Sequence, residues 1–318
     1  MGKWFHQTID RMVILFSSLG KTSYFQESVE SRDFREHIRE TSVQVPVITG
    51  RGLYTVSGET LAGTQETSIL VRLWKGLEYP TIIYQHGNVE RPFDLYPLRE
   101  NLIKRIFFPD SLHLPDYNLI LIQSYIDGDT EDHFRQMAHL NYFMAKLAFY
   151  CALEEKVMQS LSPGKKRRKN SPGFILAGAG FGGTVVNLHR TYFNTADAYV
   201  PILAGADPGH VFSESSYRRM TGRRARMQHS QINRQLNFEN DFLRVMTHNV
   251  YPLLALFDRV AVFDHQRRAY ETKPIFTIQR GHYTGLSDAD GIRSHLMAVI
   301  EEVLRTRGPA LPDRWAGR

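Results

Sequence analysis

The chain has 318 residues, of which 42% are hydrophobic, 12% aromatic and 23% charged, with a formal net charge of +6. That length and apolar content suit one large domain or two smaller ones and exclude a disordered chain. No apolar run approaches the roughly 20 residues that cross a bilayer, so no transmembrane segment is expected. The basic excess collects at 165–169 and 218–226 without interleaved aromatics, which argues against a nucleic-acid partner.

Residues 1–39 carry Phe5, Ile9, Val13 and Phe16 at three- and four-residue spacing. This predicts an amphipathic helical extension over 1–40, packed on the domain in preference to a partner or membrane surface. The apolar block 12–16 is too short for a signal peptide, and His6 stands where a myristoylation signal requires Ser or Thr. From residue 43 the period changes to two, and 43–48, 53–57 and 68–74 read as short strands of an antiparallel opening. Strand and helix then alternate: 80–84 a strand, 96–106 a helix, 117–123 a buried strand, 129–161 a long helix. This alternation argues for a parallel sheet with helices on both faces. Cys151 lies in the long helix and reads as a small buried hydrophobe. As the sole cysteine it excludes an intrachain disulfide, and it fits a reducing compartment, which predicts a cytoplasmic protein.

The polar stretch 162–172 reads as a solvated basic loop, with nuclear-type or anion docking as the alternative. It leads into the strand 174–179, a glycine-crowded turn and a helix over 184–190. A strand over 196–203 follows, and 208–249 is mostly helical in pattern. Leaving the carboxyl end of a strand, that excursion reads as a lid over the crevice. Arg218, Arg219, Arg223, Arg224 and Arg226 read as its solvated face, with the pocket mouth as the alternative. Residues 251–258 form a strand ending on Asp258, 264–270 a short helix, and 274–279 a strand running into Gly281-His282. A closing helix covers 292–304, and the last residues, 307–318, form a tail. No internal repeat or domain-sized linker interrupts 41–306.

Three signals converge on one chemistry. The turn Gly178-Ala179-Gly180-Phe181-Gly182 joins a strand to a helix, Asp258 follows at a later strand end, and Gly281-His282 follows the last strand. Gln85-His86-Gly87-Asn88 lies directly after an earlier strand. Taken singly, the glycines could equally be a dinucleotide phosphate turn. Such a turn belongs to a first βαβ unit with an acidic residue closing the next strand, whereas Asp197 here precedes one. The chain from about 43 to 304 therefore resembles the α/β-hydrolases of the lipase and esterase type, with a mostly parallel sheet and a lid after the sixth strand.

The resemblance implies roles for named residues. Asp258 matches the triad acid and His282 the base. His86, Gly87 and Asn88 match the oxyanion loop, and Phe181 supplies the second oxyanion amide. Gly180 matches the nucleophile and departs from the pattern, having no atom to attack with. The expectation is a degenerate serine hydrolase, a pseudoenzyme that binds a ligand or partner. The alternative is an active enzyme using the His282/Asp258 pair with an atypical nucleophile or with water. Thr184 and Cys151 are the other hydroxyl and thiol weighed for that role. The expected ligand is a small ester-like molecule, an acyl chain with an acidic end held by lid arginines. No cofactor and no metal are expected.

Overall fold

The computed structural model describes residues 2–18, 23–76, 79–87, 102–108, 116–124, 137–161, 173–271 and 273–307. Its strands are β1 (Ser42–Gln44), β2 (Gly52–Thr60), β3 (Gly63–Arg72), β4 (Thr81–Gln85), β5 (Asn118–Ile122), β6 (Phe174–Ala179), β7 (Ala198–Ile202), β8 (Leu253–Ala255) and β9 (Phe276–Ile278). These described strands make one sheet in the order β1-β2-β3-β5-β4-β6-β7-β8-β9. The first three strands are antiparallel, β3 lies antiparallel to β5, and every pair from β5 to β9 is parallel.

Strands β4 to β7 are buried at every position, which explains why TIIYQ, NLILI, FILAGA and AYVPI run without polar alternation. Both faces of the sheet are covered. On one face lie α4 (Leu140–Leu161) and α5 (Phe181–Tyr192); on the other lie α3 (Leu102–Phe107) and α12 (Ala289–Arg307). Successive residues of β6 serve the two cores, Leu176 on the first side and Ile175 and Ala177 on the second.

The remaining described helices are α1 (Lys3–Ser18), α2 (Phe34–Glu40), α6 (Pro208–Ser213), α7 (Arg223–Met227), α8 (His229–Leu236), α9 (Glu239–Leu243), α10 (Phe263–Arg268) and α11 (His282–Leu286). The excursion α6–α9, with a 3-10 turn over Ser216–Met220, sits between β7 and β8. It therefore follows the seventh strand and not the sixth, in line with the seven strands that the sequence pattern places before it.

Residues 1–39 are not one helical stretch. Phe25 has φ 57°, which a helix cannot accommodate, and Tyr24 and Ser28 form isolated bridges to Thr221 and His139. Asp33 then starts a new helix by accepting a hydrogen bond from the Arg35 amide. Strand β1 is shorter than predicted, since Pro46 has no amide to give the ladder. Asp258 lies in the turn after β8 and not within it. The predicted basic loop, residues 308–318 of the predicted tail, and residues 96–101 and 129–136 of two predicted helices lie outside the described residues, while Arg307 still belongs to α12. Among the described residues no helix is long and apolar enough to cross a membrane.

Candidate active site

Strand β6 ends at Ala179 and α5 begins at Phe181, so the turn between them is Gly180 alone, at φ 55° and ψ −114°. A residue with a side chain pays about 1–3 kcal/mol for such a conformation, and glycine largely avoids it. The Gly180 amide donates to the Ile202 carbonyl at 2.9 Å, and its carbonyl accepts from the Thr184 amide at 3.1 Å. The flanking glycines are required for a different reason. A Cβ on Gly178 would stand 2.4 Å from the Gly182 carbonyl, and one on Gly182 would stand 2.0 Å from the Gln85 carbonyl oxygen. The first turn of α5 is thus pressed onto β4 and β6.

Space opens on the other side of Gly180. A Cβ there would meet the Leu286 methyls at 3.6 and 3.9 Å and His282 Nε2 at 4.0 Å. A serine hydroxyl, one bond further out, can therefore come within the roughly 2.6–3.2 Å of a hydrogen bond to that nitrogen.

His282 and Asp258 are brought together as predicted. The His282 Nδ1–H donates to Asp258 Oδ2 at 2.8 Å, and Asp258 Oδ1 accepts the amides of Val260 at 2.7 Å and Ala261 at 2.8 Å. Burial alone would lower the His282 pKa. The charge and hydrogen bond of Asp258 outweigh it, so the imidazole is held above its ordinary value.

Both loops are tied to α1 by a residue the sequence reading missed. Asp10 is fully buried, and its carboxylate accepts the backbone amides of His282 at 2.9 Å, Tyr283 at 3.1 Å and Arg259 at 3.2 Å. His282 opens α11, and Gly281 before it has no side chain to cap the helix, so Asp10 caps it from another element. A Cβ on Gly281 would meet the Asp10 carboxylate at 2.7 Å. Burial raises the Asp10 pKa from its usual value. The inner face of α1 is thus spent on the site, while Trp4, Met12, Leu15 and Phe16 are exposed.

A cavity of about 650 Å³ opens onto Gly180 and His282. Gly87, Phe181 and Thr184 line it, as do Phe143, Val211, Phe212, Met220 and Val260. Gly87 packs directly on the turn, since a Cβ there would stand 2.8 Å from the Ala179 carbonyl oxygen and 3.1 Å from the Phe181 amide nitrogen. The Phe181 amide belongs to a first helical turn, where no intrahelical acceptor exists. The His86 ring points elsewhere. It bonds the Tyr84 hydroxyl at 2.6 Å and lines a neighbouring cavity with Phe5, Ile9 and Arg280; burial lowers its pKa to about 4. Asn88 lies outside the described residues.

The arginines of the excursion do not line this space. Arg218, Arg219, Arg223, Arg224 and Arg226 are exposed, and none lines the cavity. Their exposure agrees with the solvated-face reading, and among the described residues these arginines give the cavity no cationic rim. Thr184 directs its hydroxyl at the Gly180 carbonyl, 3.5 Å away. Cys151 is buried in α4 against the Val185 carbonyl, with its thiol pushed well up by burial, and it does not line the cavity.

One further group went unread in the sequence. His210, Glu214 and His265 each offer a donor atom, all within 4.8 Å of one another, which is a set capable of holding a metal ion. Burial lowers the His210 pKa to about 4, keeping the imidazole neutral. The available signal was the four-residue spacing of His210 and Glu214 at the start of the excursion.

An antiparallel opening, a crossover at β4 and β5, and functional-type residues gathered at the carboxyl ends of β4, β6, β8 and β9 define an α/β-hydrolase fold. Solved structures agree. The acylaminoacyl peptidase of Pyrococcus horikoshii matches with a TM-score of 0.51 at 12% identity over 84% of this chain, which spans 44% of that longer protein. Acetyl xylan esterase 1 from Thermoanaerobacterium sp. JW/SL YS485 matches with a TM-score of 0.50 at 11% identity, over 84% of this chain and 96% of its own. An acetyl xylan esterase from Paenibacillus sp. R4 matches with a TM-score of 0.50 at 14% identity, over 82% of this chain and 88% of its own. No family model and no curated protein matches the sequence.

Proposed function

We propose that this chain is a small-molecule-binding protein built on a serine-hydrolase framework in which glycine stands at the nucleophile position. The observation that carries the reading is Gly180 itself, in a turn at positive φ where a Cβ would lie 4.0 Å from His282 Nε2, with Asp258 behind the imidazole at 2.8 Å. The imidazole and its carboxylate stand beside Gly180 in the order an acyl transfer would need, and glycine carries no hydroxyl to attack with. No acyl-enzyme can form by that route, because the histidine has no hydroxyl proton to take. The largely apolar cavity suits an acyl or comparable ester-like molecule.

The Gly180→Ser protein tests this reading on a panel of p-nitrophenyl esters. The expected result is turnover at least about 100-fold above the unsubstituted protein, with fluorophosphonate labelling of the serine variant alone. The variant is also expected to lose about 1–3 kcal/mol of stability to the positive φ. Unsubstituted protein that turns esters over at the serine variant's rate and loses this with His282→Ala would overturn the proposal.

A second reading has its own observation, the buried His282–Asp258 pair facing the cavity. Such a pair can act as a general base on water or on a bound acid without a covalent step. It predicts turnover without fluorophosphonate labelling, rising as pH climbs through the elevated His282 pKa, and lost in His282→Ala.

A further inference from the structure

We propose that His210, Glu214 and His265 form a site for one divalent transition-metal ion of the zinc class, on the wall of the cavity built by α6 and α10. The donors come from two elements. His210 lies in α6, Glu214 caps its end one turn later, and α10 supplies His265. His210 Nδ1 and Glu214 Oε2 are 3.3 Å apart. Two ligands of a tetrahedral ion, with bonds of about 2.1 Å, are separated by about 3.4 Å. The third donor is close by, since all three ligand atoms lie within 4.8 Å of one another.

The surroundings also call for an occupant. His210 is only 5% exposed, yet its Nε2 has no hydrogen-bond partner among the described residues, while Nδ1 faces the Glu214 carboxylate. Its ring is stacked on that of His265, with centroids 3.4 Å apart and planes 10° from parallel. Stacking satisfies no ring nitrogen, so the arrangement leaves a buried imidazole short of a polar partner beside a carboxylate and a second imidazole. Gln266, next to His265 and lining the same cavity, has both amide atoms in the same condition.

Two imidazoles and one carboxylate suit zinc, and soft–borderline nitrogen donors discriminate against calcium and magnesium. A ligated ion lies in the plane of each imidazole, so loading turns the partly exposed His265 ring out of the stack. Because both histidines line the cavity, the fourth coordination position faces it, open to water or to a carboxylate or carbonyl of a bound molecule. This site does not depend on the hydrolase reading and stands or falls on metal binding alone.

The full chain, stripped by chelator and dialysed, is titrated calorimetrically with Zn²⁺ and by visible absorption with Co²⁺. The expected result is one ion per chain, with Co²⁺ bands of a four- or five-coordinate site. Substitutions outside a ligand shell already weaken metal affinity about 10- to 100-fold. His210→Ala, Glu214→Gln and His265→Ala are therefore each expected to weaken it more than about tenfold. His229→Ala and His248→Ala, at exposed histidines elsewhere, leave it unchanged. Glu214 is exposed and His265 only partly buried, so those two variants report binding with the fold retained, checked by circular dichroism. No binding tighter than about millimolar, affinity unchanged in both Glu214→Gln and His265→Ala, or affinity lost in the His229 or His248 variants would each overturn the site.

Discussion

Two walls of one cavity are built on opposite terms. On the sheet side, Asp258 spends one oxygen on two backbone amides and the other on His282, and Asp10 accepts three amides from the loops that carry the pair. On the excursion side, Nε2 of His210 and both amide atoms of Gln266 have no hydrogen-bond partner among the described residues. The first wall holds its geometry without any ligand, as a preorganised site does. The second is satisfied only by something that enters the cavity. Losing polar groups should therefore cost stability on one wall and not on the other.

The largest effect is expected at Asp258. Asp258→Ala strips the acceptor from His282 and from two buried amides, and breaking a buried pair by removing one partner costs about 3–5 kcal/mol. Urea unfolding of the variant measures it; a loss below about 1 kcal/mol would mean that the sheet-side wall is not held by this pair. Asp10→Ala comes next, at about 2–3 kcal/mol for three amides left without their acceptor. The same variant should lower the imidazole pKa of His282 by nuclear magnetic resonance titration, since the charge of Asp10 contributes to raising it. An unchanged pKa would show that α1 does not act on the pair.

Proton linkage separates the histidines by sign. His86 is depressed to about 4 by burial, so its contribution is complete above its ordinary value near 6.5 and is lost as pH falls toward 4. His282 is raised, so its contribution is present below that ordinary value and is lost as pH rises through its folded value. His86→Phe removes the first dependence alone. Relative to the unsubstituted protein it should gain about 2 kcal/mol between pH 7 and pH 5, read from urea midpoints. Parallel pH dependences of the two proteins would contradict a neutral, buried His86.

The two walls also differ in how much of them could be read from sequence. Asp258, His282 and Gly180 were legible because the fold delivers them from strand ends in a fixed order, and unbroken apolar strands such as FILAGA announce a covered parallel sheet. Asp10 was not legible. Its partners are amides some 250 to 270 residues away, and nothing local marks a helical aspartate as the cap of a distant helix. The break between α1 and α2 was hidden by an apolar spacing that continued through it, while Phe25 at positive φ is set by tertiary pairing. The arginines of the excursion invited a functional reading because charge is visible in sequence and the direction of a side chain is not. His210 and His265 stack only because β8 returns α10 beside α6, a contact that the sequence separation conceals.

The smallest effect should carry the opposite sign. Gln266 is 3% exposed, and neither its amide oxygen nor its nitrogen has a partner among the described residues, so folding strips water from both atoms for no internal bond. Replacing such a group with an apolar one of similar shape removes that penalty and keeps the packing. Gln266→Met should therefore stabilise the unliganded protein by up to about 1 kcal/mol, measured by the urea midpoint at constant slope. The same substitution should weaken any molecule that bonds the amide, so a stabilised variant with reduced ligand affinity would mark this wall as built for an occupant. A destabilised variant would mean that Gln266 already has its partner, and the contrast between the walls would fail at that residue.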